Sequence, residues 1–184
     1  MSIIAVFLFF LYCWGIGFTA TYYLKKPEHS WEKHLLNLGV GLGIIPILLI
    51  TLNFLHISLD WKIIFALSVA FPFYILATKI KKKEFSFPKL QLKKSDLVIF
   101  AVVLIAAFSF YIYAKGAFSY PYLEDEDPWG HSVGMKFVSM EKYAYDPPLK
   151  TPNGNIDPVL SYIDPYPPAY DALLGILHQT SPDL

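Results

Sequence analysis

At 184 residues the chain is 55% hydrophobic and 17% aromatic but only 16% charged, and its mean hydropathy is +0.43. A soluble domain carries about a quarter charged residues, so this composition excludes an ordinary soluble globule and points to a membrane protein. The formal net charge of +0 conceals an asymmetry, since residues 1–114 hold 11 Lys against 5 acids and residues 115–184 hold 4 Lys against 10 acids.

Four apolar runs qualify by the roughly 20 residues needed to cross the hydrocarbon core. The first is Ser2–Leu24, which ends in Tyr22 and Tyr23 before Lys25 and Lys26. It lacks a basic leader and is too long for the apolar core of a cleavable signal. Cys13, the single cysteine, lies inside it, so no intrachain disulfide forms and the residue reads as a small buried hydrophobe. The second run, Leu35–Ile57, carries Gly39, Gly41 and Gly43, which permit close helix contact, and Pro46. Asn53 and His56 near its far end read as hydrogen-bonded packing residues. After a tight turn at Ser58–Asp60 comes the third run, Trp61–Ile80, with Pro72 inside it. The fourth, Leu97–Ala114, ends in Tyr111 and Tyr113 at the depth of an interfacial aromatic belt.

The lysines set the orientation. Ten of the 15 fall in the connections after the first and third runs, and lysine-rich connections stay in the cytoplasm. The amino terminus and everything after Ala114 are then expected outside. Phe85, Phe87, Leu90 and Leu92 interleave the lysines of the third connection, a pattern suited to an anionic lipid surface and not to nucleic acid. All 15 basic residues are Lys, which lacks the planar fork that suits phosphate. A bound diphosphate would need Lys, a metal, or protein beyond this chain.

From Gly116 the character changes, with ten of the 14 prolines beyond that point. Glu124, Asp125, Glu126 and Asp127 are consecutive carboxylates, followed by Pro128-Trp129-Gly130-His131. Asp127 before Pro128 reads as a helix N-cap with proline at the first helical position. Trp129, Val133, Phe137 and Met140 then recur at spacings of four, four and three, which predicts a buried apolar stripe on an amphipathic helix over Pro128–Tyr143. Such a helix lies along the membrane surface. Asp127 and His131 fall one turn apart, a pairing able to bind a divalent cation, orient an acceptor or take a proton. The plainer reading is a solvated acidic surface with a capping aspartate. Further on, Asp164-Pro165-Tyr166-Pro167-Pro168-Ala169-Tyr170-Asp171 reads as a descent into the next membrane helix, with tyrosines at the interface.

The run Asp125–His131, placed directly after a membrane helix, resembles the first external loop of GT-C-type glycosyltransferases. It is most similar to the catalytic subunits of oligosaccharyltransferases. Tyr166-Pro167-Pro168 resembles the helix entry of the protein mannosyltransferase and aminoarabinose transferase branches. The resemblance covers roughly residues 97–178. It implies that Asp127 is the catalytic acidic residue, with Asp125 the alternative, and that His131, Tyr166 and Tyr170 bind substrate. It also implies a divalent metal, Mg or Mn, held by Asp127 and His131. The donor would be a polyprenyl-phosphate- or polyprenyl-diphosphate-linked sugar, and the acceptor a protein or lipid. Two features depart from that pattern: three helices precede the matching one, and the family's later external loops are absent.

The expectation is therefore an all-α polytopic membrane protein of the cell membrane. Residues 1–115 form a four-helix transmembrane region, and 116–165 an acidic extracytoplasmic loop with an interfacial helix. Residues 166–184 start a fifth membrane helix that reads as truncated. The expected function is the amino-terminal part of a membrane glycosyltransferase. The alternative is a non-catalytic assembly or sensor subunit whose acidic loop binds a cation or a partner. A transporter is disfavoured because no ionisable residue lies mid-span.

Overall fold

The computed structural model describes residues 3–24, 30–83, 94–117, 126–144 and 168–180, and these are all-helical. The six helices are α1 (Ile3–Thr21), α2 (Ser30–Phe54), α3 (Trp61–Lys81), α4 (Lys94–Ala117), α5 (Glu126–Glu141) and α6 (Pro168–His178). Three of them, α1, α2 and α3, are long and apolar enough to cross a membrane, and α4 carries a shorter apolar stretch, Leu97–Tyr113.

α1 packs between α2 and α3. Its buried face, Leu8, Tyr12, Cys13 and Ile16, meets Ile45 and Leu49 of α2 and Ile64 of α3 in one cluster. Cys13 is buried there, as its apolar setting predicts. Close approach depends on glycine, but on a different set from the one expected. A Cβ on Gly41 would overlap the Cys13 carbonyl, and one on Gly17 would overlap the Asn37 carbonyl. Gly39 and Gly43 have nothing within 4 Å. Of the three glycines in the second run, one is a contact point, and its counterpart Gly17 lies on α1.

The third close contact has a backbone cause. Pro72 has no N–H, so the Ser68 carbonyl four residues earlier loses its helical donor. That carbonyl is the atom against which Gly15 packs. A glycine Cα–H can lie directly on such an oxygen, a weak bond that a side chain at this position would prevent.

α2 starts at Ser30, so Glu32, Lys33 and His34 lie in its first turns, with Glu32 and His34 exposed. α3 starts where expected, because Asp60 is its N-cap and accepts from the Lys62 N–H at 2.9 Å. Lys79 and Lys81 sit in its last turn, where positive charge complements the helix dipole.

α5 begins at Glu126, which puts Asp127 inside the first turn and not at the N-cap. Pro128 remains tolerated there, because the first N–H groups of a helix have no internal partner. Only half of the apolar stripe expected to be buried packs: Val133 and Phe137 are partly buried, Phe137 against the core, but Trp129 is 57% exposed and Met140 68%. The buried residues are Gly130, Gly134 and Val138, which face α6. Small residues win this contact because they let a second helix approach more closely than a stripe of large ones. Lys142 ends α5 with φ 58°, its N–H bonded to the Val138 carbonyl at 2.8 Å. α6, opened by Pro168 as its sequence predicts, is 11 residues long and packs on α5 and α2.

Candidate functional site

The pair α5–α6 is tied to the turn between α2 and α3. The Leu59 N–H donates to the Lys142 carbonyl at 2.9 Å, and the Ala144 N–H to Asn53 Oδ1 at 2.8 Å. Gln179 at the end of α6 is used twice. Its Oε1 accepts from the Trp61 N–H at 3.0 Å and its Nε2 donates to the Leu59 carbonyl at 2.9 Å. The Lys142 ammonium donates to Asp60 Oδ2 at 2.5 Å. That bond, with the one from the Lys62 N–H, holds the Asp60 carboxyl below its ordinary range. His56 and Tyr143 stack and share a 3.0 Å hydrogen bond, so Asn53 and His56 both bond as their setting predicts. These contacts lie at the end of the bundle opposite Thr21, Lys79 and Lys81.

Within the pair, His131 Nδ1 lies 2.8 Å from Asp171 Oδ1. The Asp171 side chain is 2% exposed and that of His131 30%. An ionised carboxylate only accepts, so with Asp171 ionised the proton is on Nδ1, and any further bond the ring makes uses Nε2. The Tyr170 ring stands edge-on to the imidazole, centroids 5.0 Å apart. Asp171 Oδ2 is buried without a hydrogen-bond partner among the described residues, against Gly134. Leaving such an atom unpaired costs about 1–3 kcal/mol, so the helices hold this carboxylate against a penalty. At the last residue of α6, His178 Nδ1 and Ser139 Oγ are 2.9 Å apart.

Compared with family models, curated proteins and solved structures, the chain matches none. The site is therefore read from its own atoms. Two of the expected substrate-binding residues, His131 and Tyr170, come together across 39 residues of chain. Asp127 lies one turn before His131 on α5; its side chain, with Asp125 and Tyr166, lies outside the described residues. Asp171 was not expected in the site. Its signal in the sequence was a lone carboxylate inside the apolar segment Ala169–Leu177, which demands a partner once that segment packs.

Among the described residues no three His, Cys, Asp or Glu side chains cluster. A hard divalent cation such as Mg takes about six oxygen-rich ligands, often several of them waters. His131 and Asp171, bonded to each other, are by themselves too few ligands for such an ion, and the side chain of Asp127, the other expected ligand, lies outside the described residues.

Proposed function

We propose that this chain is part of a membrane glycosyltransferase that takes sugar from a polyprenyl-(di)phosphate-linked donor on the external face, with α5 presenting the acceptor side of the site. The observation that carries the reading is the His131–Asp171 pair, a partly exposed imidazole held by a buried carboxylate, beginning one turn after Asp127. In this reading Asp127 polarises the acceptor nucleophile or takes its proton. The nucleophile attacks the anomeric carbon, the bond from that carbon to the phosphate oxygen breaks with inversion, and the polyprenyl (di)phosphate leaves. Asp171 fixes the imidazole of His131, and His131 and Tyr170 orient the substrate.

A closure condition supports four spans. α3 runs from the α2–α3 turn to Lys81, and α5 is hydrogen-bonded back at that turn through Lys142 and Leu59. The chain between Lys83 and Glu126 must return across the bundle's length. α4 lies in that interval, and its 24 residues reach about 36 Å at 1.5 Å each, enough to cross the hydrocarbon core. The positive-inside rule then puts the α2–α3 turn, α5 and α6 on the extracytoplasmic side of the cell membrane.

The test is transfer from a polyprenyl-linked donor by the full-length protein. Asp127→Asn keeps size but removes the charge, which in the first turn of a helix costs about 0.3–1 kcal/mol of dipole stabilisation. Transfer is expected to fall by at least about a hundredfold, within the usual general-base contribution, with thermal stability lowered by no more than that amount. Equal activity of the two proteins removes Asp127 from the mechanism. A well-folded wild type that transfers no sugar favours the assembly-subunit reading.

A further inference from the structure

A second site lies at the other end of the bundle. A groove of about 480 Å³ opens between α1 and α3, its walls formed chiefly by Leu11, Phe18, Val69, Pro72 and Leu76, with Lys79 at one end. It flanks two points of helix contact, Gly15 on Ser68 and the Tyr22 ring edge-on to Phe71 at 5.2 Å. Its size lies within the range of about 300–1,000 Å³ usual for ligand sites.

The charged groups gather at a single end. Phe18 lies near the end of α1, Lys79 in the last turn of α3 and Lys33 in the first turns of α2. The Lys33 ammonium stands over the Phe18 ring, 5.7 Å from its centroid. Trp14, also in the wall, donates from Nε1 to His34 Nδ1 at 3.0 Å, which ties α2 to this mouth. An apolar slot with the Lys79 ammonium in its lining and the Lys33 ammonium over the Phe18 ring of its wall matches a molecule with a hydrocarbon chain and an anionic head. In a membrane that molecule is an anionic phospholipid.

We infer that the α1–α3 groove binds one acyl chain of an anionic phospholipid, whose phosphate is held by Lys33 and Lys79. Placing that lipid in the cytoplasmic leaflet rests on the orientation proposed above; the pocket itself does not. The cytoplasmic leaflet carries the anionic lipids, and each lysine near such a surface contributes favourably. The site is distinct from the proposed transfer site, which lies at the opposite end of α3. Its consequence is mechanical: a bound chain fills the space beside the Gly15–Ser68 contact and steadies the helix that carries Asp60 and the α2–α3 turn.

The experiment is native mass spectrometry of the full-length protein taken from vesicles of phosphatidylcholine mixed with phosphatidylglycerol. The wild type is expected to retain phosphatidylglycerol preferentially. Lys33→Gln and Lys79→Gln are each expected to reduce that preference about fivefold, in line with the contribution of a lysine near an anionic surface. Val69→Trp, which fills the groove without touching either lysine, is expected to lower retention of both lipids. Equal retention of the two lipids by the wild type overturns the inference, as does an undiminished preference in the double lysine variant. A retained preference in a protein that thiol labelling finds inverted supports the groove and refutes only the orientation.

Discussion

At the scale of single residues, glycine against carboxylate is the contact most open to test. A Cβ at Gly134 would overlap the Asp171 carboxylate, whose Cγ would lie 2.8 Å away. Asp171 cannot yield freely, because its other oxygen is bonded to His131. Gly134→Ala is therefore expected to lower stability by about 1–3 kcal/mol, the usual cost of overpacking. Gly39→Ala meets nothing within 4 Å and is expected to be neutral or stabilising, since alanine is the better helix former. Thermal unfolding of both variants in one detergent separates them, and equal loss would mean that the α5–α6 contact is not tight. Asp60 supplies a pH-dependent counterpart. Its carboxyl is held below the ordinary range by the Lys142 hydrogen bond and then by the Lys62 N–H. A depressed carboxylate adds stability that is present above its unfolded value of about 3.9 and is lost as the pH falls through the folded value. Asp60→Asn keeps the cap and removes the charge. The variant is expected to be less stable than wild type at neutral pH, with the gap closing below about pH 4. A gap that persists in acid would assign the effect to packing.

At the scale of elements, what could be read from the sequence follows what each signal measures. Run length and lysine position locate α1, α2 and α3 because a span is defined by its own residues. α3 starts at the expected residue because Asp60 caps it locally. The buried face of α5 was not legible, since periodicity ranks residues by apolarity and therefore selected Trp129 and Met140. The actual face was chosen by α6, through Gly130, Gly134 and the carboxylate of Asp171. The glycines of α2 were misassigned for a similar reason. Gly41 is a contact point only because Cys13 of α1 crosses it, and nothing in the second run says which of three glycines a partner will meet. His131 and Tyr170 were legible as residue types. Their meeting depends on a pairing of helices separated by a long loop. In α4 every described side chain from Leu97 to Tyr113 except Ile99 is exposed, which is the surface a helix presents when lipid is its main neighbour.

At the scale of the whole molecule, the contacts at the α2–α3 turn make topology a single linked question. Leu59 and Lys142 are hydrogen-bonded, so the α2–α3 turn and the end of α5 share one side of the membrane whatever the orientation. Lys83, beyond the far end of α3, belongs to the other side if α3 spans. One cysteine added at a time at three positions reads this out in intact cells with an impermeant thiol reagent: Ser58, Lys83 and Gly116. Cys13 stays in place, since it is buried, and the unsubstituted protein serves as the background control. Ser58→Cys and Gly116→Cys are expected to label from outside, and Lys83→Cys only after the membrane is opened. Labelling of Lys83→Cys alone would keep the four spans and invert them, against the lysine distribution. Labelling of Ser58→Cys together with Lys83→Cys would mean that α3 does not cross, and the groove would then not lie in a bilayer. Labelling of Ser58→Cys without Gly116→Cys would remove α4 from the membrane. In that case the return to the α2–α3 turn would have to be made by the residues between Gly116 and Glu126. Only ten steps separate these two positions, at most about 36 Å when fully extended, so such a path would leave no slack for a loop. The closure condition thus makes the fourth crossing the expected result.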